Sequence, residues 1–164
     1  MKKYILLISL FVFTVVTGCG GSEGLASFQE SINSFYTEVS EIEKSMEQID
    51  EQDENAVTTL LICLEQMKAQ FEILAQMEVP AEFSNVEELA KDAAEYMSEA
   101  TRLYTEAYEE DLVNNDYVQA AVDNYESAMK RIDYIATLLQ GEIPEGAVVI
   151  EGEGNEFEPY TEEE

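Results

Sequence analysis

From Phe28 onward the apolar residues fall alternately three and four positions apart. Phe28, Ile32, Phe35, Val39, Ile42, Met46 and Ile49 are spaced 4-3-4-3-4-3. Ala56, Leu60, Cys63 and Met67 keep that phase, and Leu74 and Met77 rejoin it. A third run, Phe83, Val86, Ala90, Ala93, Met97, Ala100, Tyr104 and Ala107, is followed by a fourth, Val118, Val122, Tyr125, Met129, Ile132, Ala136 and Leu139. A period near 3.5 residues is the seam of packed helices and does not fit strand alternation. Residues 25–140 hold no Gly and one Pro, Pro80, which also favours long helices.

Three breaks divide the pattern. Val79 precedes Pro80, which disfavours α backbone and ends a helix. Pro80-Ala81-Glu82 then opens the next, with Pro near the first helical position. Asp111–Asp116 is a polar hairpin with Asn and Asp as candidate caps. Asp50–Asn55 is ambiguous, because the heptad phase runs through it. One uninterrupted helix of about 50 residues would reach ~75 Å, and the last two helices would cover only about half of it. Folding back at Asp50–Asn55, with Asp53 as N-cap, buries that seam. The expected fold is therefore all-α, an antiparallel four-helix bundle; three helices with one long first helix is the alternative. The bundle is expected over residues 25–140. Residues 141–164, with nine Glu and neither Lys nor Arg, read as a disordered acidic tail in which Ala147–Ile150 could pair briefly.

Charge narrows the function classes. The chain has 164 residues, 36 acidic and 8 basic, for a formal net charge of −28. Binding to nucleic acid is not expected, since that affinity rests on Lys and Arg displacing counterions. The absence of His removes Ser-His-Asp and Cys-His catalysis and the HExxH zinc site. No enzyme activity, cofactor or metal is expected. The acidic clusters Asp50–Glu54 and Glu109–Asp111 lack calcium-loop spacing and read as solvated surface.

The N-terminus supplies an address. Lys2 and Lys3 precede an apolar stretch, Ile5–Val16, that is too short to span a bilayer as a helix and fits a signal peptide. It ends in Val16-Thr17-Gly18-Cys19, which resembles the lipobox of bacterial lipoproteins. That resemblance implies cleavage between Gly18 and Cys19 and a diacylglycerol on the Cys19 thiol. Residues 1–18 would then be signal peptide and residues 19–24 anchor and tether. The mature chain would sit on the extracytoplasmic face of a cell membrane, most simply that of a Gram-positive cell. Two acyl chains suffice for stable anchoring.

The remaining chemistry is sparse. Cys63 lies in an apolar run, Leu60–Leu64, and reads as a buried, inert thiol. Of the six basic residues after Cys19, Lys44, Lys68, Lys91, Arg102 and Lys130 each follow a Glu by three or four positions, which is ordinary intrahelical pairing. Arg131 has no such partner. Tyrosines gather on the last two helices. Tyr104 and Tyr108 share a face, whereas Tyr125 and Tyr134 lie on opposite faces, so most are expected as core and rim. A ligand site, if present, would draw on Tyr104, Tyr108, Tyr125 and Arg131 between the last two helices.

Over residues 28–144 the chain resembles a loose group of uncharacterised all-helical lipoproteins of Gram-positive anaerobes. The resemblance is carried by Val79-Pro80-Ala81-Glu82-Phe83, Glu95–Ala100, Asn124–Ala128 and Leu139–Pro144. It implies a helical fold and no particular activity. The expected function is a lipid-anchored, non-enzymatic cell-surface protein that binds an envelope or extracellular protein. The alternative is a small-molecule-binding lipoprotein with its site between the last two helices.

Overall fold

The break at Asp50–Asn55 is real, and two aspartates make it. In a computed structural model, which describes residues 22–108, 113–142, 144, 148–149 and 157–158, the Asp50 carboxylate accepts from the Gln52 backbone N–H at 3.0 Å and that of Asp53 from the Asn55 N–H at 2.8 Å. These side chains offer the backbone N–H groups a partner outside the helix ladder, so the helix stops. The single long helix is thereby excluded. Asp53 is not the N-cap, however. It stands two residues before Asn55, which occupies the cap position.

Among the described residues four α-helices follow one another: α1 Ser22–Glu47, α2 Ala56–Ala75, α3 Ser84–Ala107 and α4 Asn115–Leu139. Together they form the expected all-α four-helix bundle, up-down-up-down with short connections. Helix α1 begins at Ser22, so Ser22–Gly24, expected in the tether, are helical. Pro80 does not sit inside α3; it caps a 3₁₀ turn, Ala81–Phe83, that feeds it. The Asn114 side chain caps α4 as expected of its hairpin, accepting from the Asp116 and Tyr117 N–H groups at 3.1 and 3.3 Å. At the other end of α4, Gly141 takes a φ of +75°, and two reverse bonds close the helix: Gly141 N–H to Leu138 O and Glu142 N–H to Thr137 O. A residue with a Cβ would strain that left-handed position, which is why Gly suits it.

The core runs the length of the bundle. Helix α1 contributes Phe28, Ile32, Phe35, Val39 and Ile42, as its spacing predicts. Phe35 meets Phe71 of α2 edge to face, ring centroids 5.4 Å apart, and Phe28 stacks on Phe83 at 6.0 Å, closing the end where α1 begins. Cys63 is buried within α2, as expected. On α2 the buried face also includes Leu64 and Phe71, outside the predicted seam, while Leu60 is only half-buried. On α4 the seam is broader than predicted: Met129, Ile132 and Leu139 are buried as expected, and a neighbouring stripe joins them. Ala121, Ala128 and Ile135 are fully buried, whereas Val118, Val122 and Ala136 are half-buried flanks. Two interleaved 3.5-residue stripes coexist on that helix, and residues of both enter the core. Beyond α4, Val148–Val149 pairs antiparallel with Phe157–Glu158, a short ladder where brief pairing at Ala147–Ile150 was expected.

Candidate functional site

The four candidate ligand residues fall into two places. Tyr104 and Tyr108 are one turn apart near the end of α3. Tyr104 lies close enough to Tyr108 and to Glu126 of α4 for their charges to disfavour its ionisation, after burial, which is the larger cause. Tyr125 of α4 neighbours Tyr104 and faces Glu43 of α1. Burial first, and then the Glu43 carboxylate, push the Tyr125 hydroxyl well above its ordinary pKa. Arg131 stands six residues further along α4, about 9 Å by helical rise. Its guanidinium carbon lies 4.8 Å from the ring centroid of Tyr96 on α3. The π face takes the role that a carboxylate plays for Lys68, Lys91 and Arg102. The Arg131 Nε is buried without a hydrogen-bond partner among the described residues.

The tyrosines thus form one group and Arg131 another. Tyr96, Tyr125 and Tyr134 are partly buried and pack on the core cluster, the core-and-rim arrangement expected of them. The basic residues divide as well. Lys68 pairs with Glu65 at 3.3 Å and Lys91 with Glu87 at 2.7 Å, while Arg102 bridges Glu99 and Glu106. Among the described residues Lys44 and Lys130 form no ion pair; Lys130 lies 5.8 Å from the Tyr134 ring centroid instead.

A third helix enters the tyrosine group, which the sequence did not indicate. Glu43 of α1 is half-buried where α1 meets α4. Burial raises its pKa above the ordinary carboxylate range. The neighbouring charges of Glu47 and Asp133 add to this, and the Tyr125 hydroxyl partly offsets it. Partial burial also raises Asp133. Two turns before Glu43, the Tyr36 hydroxyl donates to the Ile132 carbonyl at 2.7 Å and ties α1 to α4. Glu43 directly follows seam residue Ile42, and nothing in its spacing distinguishes it from the many solvated glutamates. Among the described residues no three Cys, Asp or Glu side chains converge as a metal site, and no helix is long and apolar enough to cross a membrane.

The other feature is an exposed face. Ile62 and Ile73 on α2 are 54 % and 53 % exposed, the most open of the large apolar side chains described. At ~100° per residue they lie about 20° apart around the helix. The only charged residues of α2 are Glu65, Lys68 and Glu72, and all three fall on one flank of that face. The lipobox residues, including Gly18 and Cys19, lie outside the described residues. No family model matches the chain, and no match was found among curated proteins or solved structures.

Proposed function

We propose that this protein is a lipid-anchored, non-enzymatic helical protein of the extracytoplasmic membrane face, and that its bundle is a protein-interaction module. The observation that carries the interaction reading is the uncharged, isoleucine-bearing face of α2 on a chain of net charge −28. A continuous uncharged strip on an otherwise acidic surface is where another protein can dock without stripping water from charged groups. The anchor rests on the order of Lys2, Lys3, the apolar stretch and Val16-Thr17-Gly18-Cys19.

Two measurements test the two halves separately. Mass spectrometry of the full-length protein from a producing bacterium is expected to find Cys19 as the first residue, carrying lipid; an intact residue 1–18 segment with a free Cys19 thiol would overturn the anchor. Photo-cross-linking on living cells is expected to capture a dominant protein partner, and a flat adduct profile would overturn the interaction role. The second reading, a small-molecule site between α3 and α4, draws on the unpartnered Arg131 Nε. A ligand at 100 times its dissociation constant adds about 2.7 kcal/mol of stability, so a thermal-shift library without a hit removes it.

A further inference from the structure

Helix α2 carries two seams. Its inner one, Cys63, Leu64, Met67, Phe71 and Leu74, is the bundle core. On the opposite side Thr59, Ile62, Gln66, Ala69, Ile73 and Gln76 are spaced 3-4-3-4-3, and all but the cap residue Gln76 lie within the helix. Each of the six is exposed, and none is charged. A 3.5-residue repeat that faces outward is the pattern by which one helix recognises another. The outer faces of the other helices differ. Glu30, Glu38 and Glu41 on α1, Glu87, Glu88 and Glu95 on α3, and Asp116, Asp123 and Glu126 on α4 are all exposed.

We infer that the outer seam of α2 is a homotypic docking surface, on which a second copy of this chain packs α2 against α2, parallel and in register. The inference rests on the interaction reading above and names its partner. Charge selects the occupant. A basic partner would be drawn to the acidic faces of α1, α3 and α4 rather than to α2. Two copies repel each other across those faces and meet without like-charge contact only over the uncharged seam.

Charge also selects the orientation. Glu65, Lys68 and Glu72 occupy one flank of the seam; the other carries Gln70 and no charge. In a parallel two-fold pair each charged flank faces the uncharged flank of the other copy. An antiparallel pair would bring the two charged flanks together. In parallel register Ile62 meets Ile62 and Ile73 meets Ile73. Ala69 lets the backbones approach, and paired Gln66 amides hydrogen-bond across the seam, as a polar seam residue does when it fixes register. The seam spans about 26 Å by helical rise. A strip of that length and about 10 Å wide, one helix diameter, covers on the order of 260 Å², well short of the ~800 Å² per partner of a standard stable interface, so the pair is weak in dilute solution. Tethering both copies to one surface raises their effective concentration and favours it.

The test is cysteine cross-linking of the full-length protein in membranes of a producing bacterium. Wild type sets the background: Cys63 is buried, and Cys19, lipidated or free, is common to every variant. Oxidation is expected to give disulfide-linked dimers of Ile62→Cys and of Ala69→Cys at least tenfold above Ser34→Cys, an exposed position on α1. Placing Ile62→Glu and Ile73→Glu in the Ala69→Cys background is expected to abolish the dimer with the melting temperature unchanged, since both side chains are exposed. Yield is expected to rise with salt, which screens repulsion between two acidic copies and would weaken attraction to a basic partner. Equal yields at Ser34 and Ala69 overturn the inference. So does a link that forms only when Ile62→Cys and Ile73→Cys proteins are mixed, because that is antiparallel pairing. An adduct from Ala69→Cys to a foreign protein also overturns the second copy as occupant, yet leaves the interaction reading standing. The interaction reading itself falls only if cross-linking over the whole surface finds no partner.

Discussion

The two halves of the bundle are built from different materials. Where α1 meets α2, the buried side chains are large: Phe28, Ile32, Phe35 and Val39 against Leu64, Met67, Phe71 and Leu74. Helices α3 and α4 also bury large side chains, Leu89, Met97, Ile132 and Ile135 among them, but intersperse them with Ala90, Ala93, Ala94, Ala100, Ala107, Ala121 and Ala128. Among the described helices they are also the most closely packed pair. Small residues let two helix backbones approach, whereas rings and branched chains hold the axes apart and interlock through side chains. Helix α1 accordingly reaches α4 through long groups, the Tyr36 hydroxyl on the Ile132 carbonyl and Glu43 facing Tyr125. One half is therefore expected to be sensitive to lost volume and the other to added volume.

The largest expected effect breaks the α1–α2 half. Phe71→Ala removes a fully buried ring and its edge contact with Phe35. A loss of about 3–5 kcal/mol is expected in urea unfolding. The converse change in the other half, Ala93→Leu, forces a larger side chain into a fully buried site and is expected to cost about 1–3 kcal/mol by the same measurement. If Ala93→Leu proved neutral, close packing would not be what holds α3 to α4. Smaller still, Tyr36→Phe deletes the α1–α4 hydrogen bond at the expense of about 0.5–1.5 kcal/mol. Amide exchange in that variant is expected to quicken in α1 before α3 or α4.

The subtlest effect is a pH dependence. Glu43 and Asp133 have folded pKa values above the ordinary carboxylate range. The folded state therefore holds their protons more tightly than the unfolded chain does. Their stabilising contribution is fully present below the unfolded carboxylate pKa of about 4 and is lost as pH rises through the raised folded values. The urea midpoint is expected to rise as pH falls from 7 towards 5. Glu43→Gln should raise the midpoint at pH 7 and flatten that slope, and an unchanged slope would place the titration elsewhere.

Much of this architecture was legible in the chain. Phe28 to Ile42 sit in the core because a 4-3 spacing admits one buried face, and Asn114 caps α4 because its short polar side chain reaches the free N–H groups. The Asp50–Asn55 break was harder to read, since the heptad phase crosses it; local Asp-to-backbone bonds override the phase. The α4 seam was half legible: Met129, Ile132 and Leu139 are buried as their spacing predicts, but Val118, Val122 and Ala136 flank the core while Ala121, Ala128 and Ile135, one stripe over, enter it. Of the candidate ligand residues, Tyr104, Tyr108 and Tyr125 are neighbours, as their helices suggested, but Arg131 turned to Tyr96. No spacing rule encodes a cation-π partner on another helix.

What the sequence determined by itself is local or additive: where helices form, which side of α1 is apolar, how acidic the surface is, and the short N-terminal pattern ending in Cys19. Periodicity, capping and charge act within a few residues and need no partner to be read. Tertiary structure decided that two stripes on α4 share the buried face, that Glu43 of α1 joins a tyrosine group on α3 and α4, and that the second seam of α2 stays outside. Those outcomes depend on which helix packs against which, and at what distance. That distance is set by the volumes of side chains remote in sequence, alanines interspersed among larger residues on one side of the bundle and phenylalanines on the other.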